Sequence, residues 1–348
     1  MNEEKYEEEN IDTKIEEMQT VFTSRKRKIK RNKSFRMIQQ MRKKNKQKNH
    51  KRKKELNDMI QNKNEKNNNK KDKKNKCVYK NVADHSILFE PEKCSNIKNY
   101  KVVMLGCCKD VANYLHKNLM ILELLGNQFL DYRMVIYEND SSDITRQILM
   151  EFKNDKFEFI FENDLKIKER TERLAYIRNI LLDRFYQIQE TFQADYMIMI
   201  DLDDRIFSGK LINSLSTCFG FDVDKWDVLT GNQSKIYYDV YALRIKNLIE
   251  HDFLQEILKI KKKTSSKKRK KIINRVLNRF NYPVISPSYL VPVQSAFGAI
   301  GIYKISSIKN AKYIGMKGKI PICEHVPFHK SICDEGGKIF INSHLLTE

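Results

Sequence analysis

From about residue 100 onward, short apolar runs alternate with stretches whose apolar residues recur at helical spacing. Residues 101–106, Lys-Val-Val-Met-Leu-Gly, read as a buried strand closed by glycine. Residues 111–125 carry a helical stripe with Gly126 as its stop. The alternation then repeats: strand 132–137, helix 145–152, strand 157–161, long helix 169–189, strand 195–200. Strands separated by helices imply parallel βαβ units. The expected fold class is therefore α/β, a mostly parallel sheet with helices on both faces. Beyond residue 204 the regularity weakens. Residues 224–230 read as a strand and 231–244 as loop. A charged insertion covers 248–280, densest at 255–280. Strands are expected within 289–303 and at 338–342.

Polar clusters stand at three strand ends. The sharpest is Asp201-Leu202-Asp203-Asp204, directly behind the apolar run 196–200. Alternation along an extended chain sends Asp201 and Asp203 to one side. Two hard oxygen ligands facing one point suit Mg²⁺ or Mn²⁺. The plainer reading is a solvated acidic turn. The other two clusters are Glu138–Asp143 and residues 162–164, where Asn, Asp and Ser also serve as ordinary helix caps. On the long helix, Arg170, Arg173 and Arg178 could approach a diphosphate through forked hydrogen bonds. Alternatively, they pair with Glu169 and Glu172 on a solvated face. Late in the chain, Glu324, His325 and His329 precede Asp334 and Glu335. His is a common metal ligand and a carboxylate can orient or deprotonate a hydroxyl. Pro327, between the two histidines, argues against a helix joining them. No G-x-G-x-x-G, G-x-x-x-x-G-K-[ST] or G-x-S-x-G pattern occurs, which argues against dinucleotide, P-loop and α/β-hydrolase sites.

Composition adds a question of location. The chain has 348 residues and a net charge of +21, from 66 Lys and Arg against 45 Asp and Glu. Residues 25–76 alone hold 24 basic and 4 acidic residues, whereas residues 1–24 are acidic. A second basic run lies at 259–275. The basic character thus sits in two segments, not across a folded face. Residues 25–76 have too few apolar side chains to offset chain entropy, so disorder is expected there. Such an arm can make weak non-specific contact with nucleic acid or an anionic membrane, or remain a solvated tail. The expected division is a low-complexity segment at 1–98 and a catalytic domain at 99–348. No stretch approaches the roughly 20 apolar residues of a membrane helix, and residues 1–24 hold no apolar signal core. A cytoplasmic protein without a transmembrane segment is the expectation. Seven cysteines, an odd number without C-x-x-C spacing, indicate neither a zinc ribbon nor a disulfide framework.

The order of motifs carries a resemblance. A strand ending Gly106-Cys107-Cys108 is followed by Glu138-Asn139-Asp140-Ser141-Ser142-Asp143, Leu174-Ala175-x-x-Arg178-Asn179 and Asp201-x-Asp203-Asp204. This series resembles the GT-A glycosyltransferases, above all the group related to fungal capsule-associated alpha-mannosyltransferases and similar domains encoded by large DNA viruses. The later pieces Tyr237-Tyr238-Asp239-x-x-Ala242-Leu243-Arg244, Gln294-Ser295-Ala-Phe-Gly298 and Cys323-Glu324-His325 are similar to that group's acceptor half. The resemblance implies a GT-A, Rossmann-like fold and transfer of a sugar from a nucleotide-sugar donor to a glycan, protein or lipid hydroxyl. It implies Mn²⁺ or Mg²⁺ held by Asp203, Asp201 and a late histidine (His329, or His325 or His344). Asn139, Asp140, Arg170, Arg178, Asp201 and Asp204 would meet the nucleotide. Gln294, Ser295 and Gly298 would meet sugar or acceptor. Glu324 or Asp334 would be the base of an inverting reaction, whereas in a retaining one Glu324 would orient the acceptor. For a virus-encoded chain, the viral factory or virion would also be a location. The alternative functions are a metal-dependent nucleotidyltransferase and a nucleic-acid-binding protein acting through the basic tail. The charged run at 259–275 and the lack of an anchor depart from the group's pattern.

Overall fold

The computed structural model describes residues 84, 86–202, 209–233, 237–253, 255, 268, 270–272 and 290–347. Asp203, Asp204 and the basic tail at 25–76 lie outside the described residues, as does most of the 255–280 insertion.

Eight strands form one sheet: β1 (Lys101–Cys108), β2 (Asp131–Asn139), β3 (Phe157–Glu162), β4 (Tyr196–Asp201), β5 (Val228–Asn232), β6 (Leu290–Val293), β7 (Ile300–Lys304) and β10 (Ile339–Leu346). They lie in the order β3-β2-β1-β4-β7-β5-β10-β6. The first four run parallel in 3-2-1-4 order. β7 is antiparallel to both β4 and β5. β10 is parallel to β5, and β6 closes the edge antiparallel to it. A two-stranded ribbon, β8 (Met316–Lys317) and β9 (Ile320–Pro321), stands apart. The protein is thus a mixed α/β fold around a large, mostly parallel sheet. β1 and β4 are almost continuously apolar because helices cover both faces of a parallel sheet.

Helices among the described residues include α1 (Leu115–Gly126), α2 (Thr145–Glu151), α3 (Arg170–Phe192), α4 (Gly209–Ser214) and α5 (His325–Asp334). On α3 the buried positions Thr171, Ala175, Arg178, Leu182 and Phe185 recur every three or four residues, making one covered stripe. Arg178 is the exception in kind, since a charged residue is rarely buried without a paired partner. Helix α5 corrects the expectation drawn from Pro327. The proline occupies the third helical position, within the first turn, where backbone N–H groups have no intrahelical acceptor anyway.

Residues 84 and 86–99 contact the rest of the described body: Asp84 bridges Leu290, Phe89 bridges Phe221, and a 3-10 helix (Pro91–Asn99) buries Ile97. On the functional side, the chain before α5 docks on the start of α3. Thr171 Oγ1 donates to Gly315 O at 2.8 Å. The Asn179 side chain pairs with the Tyr313 backbone in both directions, each at 2.9 Å. A side chain at Gly315 would collide with the Thr171 carbonyl, a backbone atom that cannot swing away. Gly315→Ala is therefore expected to cost about 1–3 kcal/mol in urea unfolding. Gly209→Ala, which meets nothing within 4 Å, is expected to change stability by less than about 1 kcal/mol.

Candidate active-site cleft

β1 connects to β2 on one side, and after β3 the chain crosses to place β4 on the other side of β1. The β1–β4 gap is thus a topological switch point, where diverging connections leave a crevice at the strand carboxyl ends. A cleft of about 740 Å³ opens there. Cys107 and Cys108 at the end of β1, Asn139 at the end of β2 and Asp201 at the end of β4 all line it. Cys107 and Asp201 are register partners across the gap. The first turns of α3 supply Arg170, Arg173 and Arg178, and the start of α5 supplies Glu324 and His325.

The end of β4 is held rigidly. Asp201 N donates to Ala299 O at 2.9 Å, and buried Asn118 donates to Leu202 O at 3.1 Å. At the cleft floor, Arg178 donates through Nη2 to Asp201 Oδ1 at 2.9 Å and through Nη1 to Glu324 Oε1. The guanidinium and Glu324 are both buried, each with a side chain 4% exposed, while Asp201 is 32% exposed toward the cleft. Arg178 also lies over the Phe297 and Tyr313 rings, at 5.3 and 5.8 Å. Burial pushes the Asp201 carboxyl up, and Arg178 only partly pulls it back. Asp239 faces the same cleft. Burial raises its carboxyl too, against a 3.1 Å hydrogen bond from Gly298 N. The sequence names Asp239 only within the motif similar to the acceptor half and gives it no individual part in the site. Its position in a loop after β5 gave no periodic signal, and only the fold brings it opposite Asp201.

Asn139 apart, the side chains of the other strand-end clusters hold the local backbone. Both Asp140 oxygens are occupied, by Asp164 N at 2.6 Å and by Leu165 N and Asn139 Nδ2 at 3.1 Å, so Asp140 pins the loop after β3. Asp143 accepts from Thr145 N at the start of α2, and buried Glu138 pairs with Arg146. These side chains cap and brace and do not line the cleft. Arg173 donates to Ile167 O at 3.0 Å, ordering the approach to α3. Arg170 is exposed at the cleft mouth, with no hydrogen bond or ion pair among the described residues.

Several expected site residues are not brought to the cleft. Asp334 sits exposed at the far end of α5, ion-paired with Lys330 at 2.6 Å. Gln294 is exposed, its backbone N bonded to Arg244 O. Ser295 is buried, and its hydroxyl meets His329 Nδ1 at 3.0 Å. Gly298 adopts φ +61, packs against Gly231 O and leaves room for no side chain. His329 is fully buried, and its Nε2 meets Tyr303 OH at 3.0 Å. With both ring nitrogens engaged in the core, it does not fit a metal ligand. His344 stacks on Phe89 at 4.3 Å, in a region the cleft does not reach. Among the described residues, no three His, Cys, Asp or Glu side chains converge as a metal cage. Asp201, whose Oδ1 is the oxygen bonded to Arg178, and Asp239 have the hard oxygen chemistry that Mg²⁺ or Mn²⁺ favours.

Neither a family model nor a curated protein matches the chain. Several solved structures are similar to it. S. aureus TarS residues 1–349 shares 13% identity over 69% of this chain and 57% of that one, with a TM-score of 0.37. The mannosyltransferase PcManGT from Pyrobaculum calidifontis, in complex with GDP-Man and Mn²⁺, shares 9% over 69% and 56%, with a TM-score of 0.36. The inositol-1-phosphate CTP transferase from T. maritima shares 12% over 70% and 84%, with a TM-score of 0.33. The chain spans little more than half the length of the first two. Likeness at this level is recorded as likeness alone. No helix among the described residues is long and apolar enough to cross a membrane.

Two outcomes follow from the buried charges. Arg178→Met leaves Glu324 buried without a cation, so a loss of about 3–5 kcal/mol in urea unfolding is expected. The acid limb of stability should belong partly to His329, whose pKa burial and Arg178 bring down to about 3. An unfolded histidine titrates near 6.5, so below about pH 6.5 the unfolded state binds the proton and the native state does not. Stability then falls as pH drops through that window toward 3, by up to about 1.4 kcal/mol per unit. Unfolding curves at pH 7 and 5 should show a shallower loss in His329→Gln than in the wild type.

Proposed function

We propose that the cleft binds a nucleotide sugar and transfers its sugar to a hydroxyl of a glycan, protein or lipid acceptor. One observation carries the reading. At the switch-point crevice, Arg170, exposed at the mouth and without an ion pair among the described residues, stands over a floor where Arg178 is clamped between Asp201 and Glu324. A diphosphate needs cationic donors at its phosphates. Arg170 keeps its donors open to a ligand while its charge acts on Asp201 and Asp239, and the clamped Arg178 fixes Asp201 and Glu324 in place. Asn139, at the end of β2, would meet the nucleoside side. A divalent cation, Mn²⁺ or Mg²⁺, would be held by Asp201 with Asp203, and when bound it supplies charge neutralisation of the departing diphosphate. Asp239 would face the same ion or its ligand. Glu324 would hold Arg178 and orient the acceptor side of the cleft, and Asp334 would have no part in the reaction.

The test is a thermal-shift screen of UDP-, GDP- and CMP-sugars with and without Mn²⁺. A donor at 100 times its Kd stabilises the native state by about 2.7 kcal/mol. A metal-dependent shift with one base is expected, and Asp201→Asn should lose it. No shift with any of them would sink the proposal, and with UTP, GTP and CTP screened alongside, a shift only with a triphosphate would move it to nucleotidyl transfer. In transfer assays with the responding donor, Glu324→Gln should lower the rate by about 10²-fold, as loss of a positioning group does. Asp334→Ala should stay within about twofold of wild type, since an exposed salt bridge contributes little.

A further inference from the structure

His325 is a buried polar ring at the edge of the cleft. It is 3% exposed, at the first position of α5. Its faces are covered. Phe297 stacks on the ring at a centroid distance of 3.9 Å, the His329 ring lies 5.7 Å away at 27°, and Tyr313 meets it in a T at 5.5 Å. Its edges are not satisfied, since neither Nδ1 nor Nε2 has a hydrogen-bond partner among the described residues. Glu324 Oε1 is 3.9 Å from Nε2, beyond hydrogen-bond range, and is already bonded to Arg178. One turn further along the same helix, His329 has partners for both nitrogens. A buried polar atom without a partner costs about 1–3 kcal/mol, so two on one ring call for an explanation. The ring borders the cleft, and so that is where a partner would come from.

We propose that the His325 imidazole binds a saccharide hydroxyl of the ligand held in the cleft, one ring nitrogen accepting from that hydroxyl and the other donating to a second oxygen. This rests on the nucleotide-sugar reading above and adds the group that reads the sugar. The chemistry selects the ligand class. Burial and the nearby Arg178 hold the ring neutral, so it offers one N–H and one lone pair. A phosphate presents acceptors only and is better met by Arg170. A cation needs lone pairs only and is better met by Asp201 and Asp239. A hydroxyl both donates and accepts, as the neutral ring does. With the ring clamped between aromatic faces, little conformational freedom is lost on binding.

The experiment uses the full chain with Mn²⁺ and isothermal titration. UDP-glucose, UDP-N-acetylglucosamine and GDP-mannose are compared with UDP and GDP in the wild type, His325→Phe and His325→Gln. The expected result is a sugar nucleotide that binds the wild type about tenfold more tightly than its diphosphate. In His325→Phe that advantage should vanish while diphosphate affinity stays within about threefold, and His325→Gln, which keeps a donor and an acceptor, should retain part of it. A second arm titrates methyl mannoside and methyl glucoside into the diphosphate-saturated protein. Sensitivity to His325→Phe there, and not in the first arm, assigns the hydroxyl to the acceptor and not the donor. If neither arm shows a sugar contribution that depends on His325, or if His325→Phe weakens the diphosphate equally, the inference is overturned. If His325→Phe does not fold, ¹⁵N spectra of the wild-type ring decide. Both ring nitrogens should shift with sugar ligand and not with diphosphate alone, and unmoved signals overturn the inference. A wild type that binds no diphosphate overturns the donor reading itself, and this inference with it.

Discussion

The buried guanidinium of Arg178 is the interaction on which the cleft depends. It carries a full charge on the apolar stripe of α3, in a place where an unpaired ion would cost several kcal/mol. Two carboxylates from distant parts of the chain, Asp201 on β4 and Glu324 before α5, compensate it. The sheet, the long helix and the late helix are thereby tied at one point. A hydrophobic side chain in place of Arg178 would pack the stripe more simply. What the charge adds is orientation, since a forked donor fixes the direction of both carboxylates. One of those carboxylates opens on the cleft and the other closes its floor.

The topology explains why the ends meet there. The 3-2-1-4 order forces consecutive connections to diverge between β1 and β4. The gap this leaves lies at the strand carboxyl ends, beside the first turn of α3. Antiparallel β7 then closes the other side of β4, and the turn before it supplies the Ala299 carbonyl that accepts from Asp201 N. The half of the chain after β4 is thus no appendage. It supplies Asp239, Glu324, His325 and the Phe297 ring, which together form one wall of the cleft.

The first half was legible because its elements are regular. β1 to β4 and the intervening helices follow periodicities of two and 3.6, and their strand ends announce themselves as polar clusters. Roles within those clusters were not legible, since a cap and a ligand use the same residue types. Asp140 and Asp143 turned out to serve the backbone, as capping chemistry allows. The second half was read less well for physical reasons. Pro327 suggested a break, yet a proline in a first helical turn costs no hydrogen bond. His325 and His329 share a motif and a helix face, but only burial and partners separate the orphaned ring from the satisfied one. Asp334 stood close in sequence to Glu324, and ten residues of helix carry it to the opposite end.

The Arg178–Glu324 pair also spans 146 residues of chain. During synthesis, or in any partly folded state, α3 and the parallel strands can assemble from local contacts while the cation still lacks its second partner. Closing so long a loop delays the contact, and helix α3 cannot bury its stripe without penalty until the segment carrying Asn179's partner Tyr313, Gly315 and Glu324 has docked. The cleft is therefore a late product of folding. An incomplete or misdocked chain would expose the charged stripe and carry no assembled cleft, so that the same ion pair guards against a half-made protein acting as a finished one.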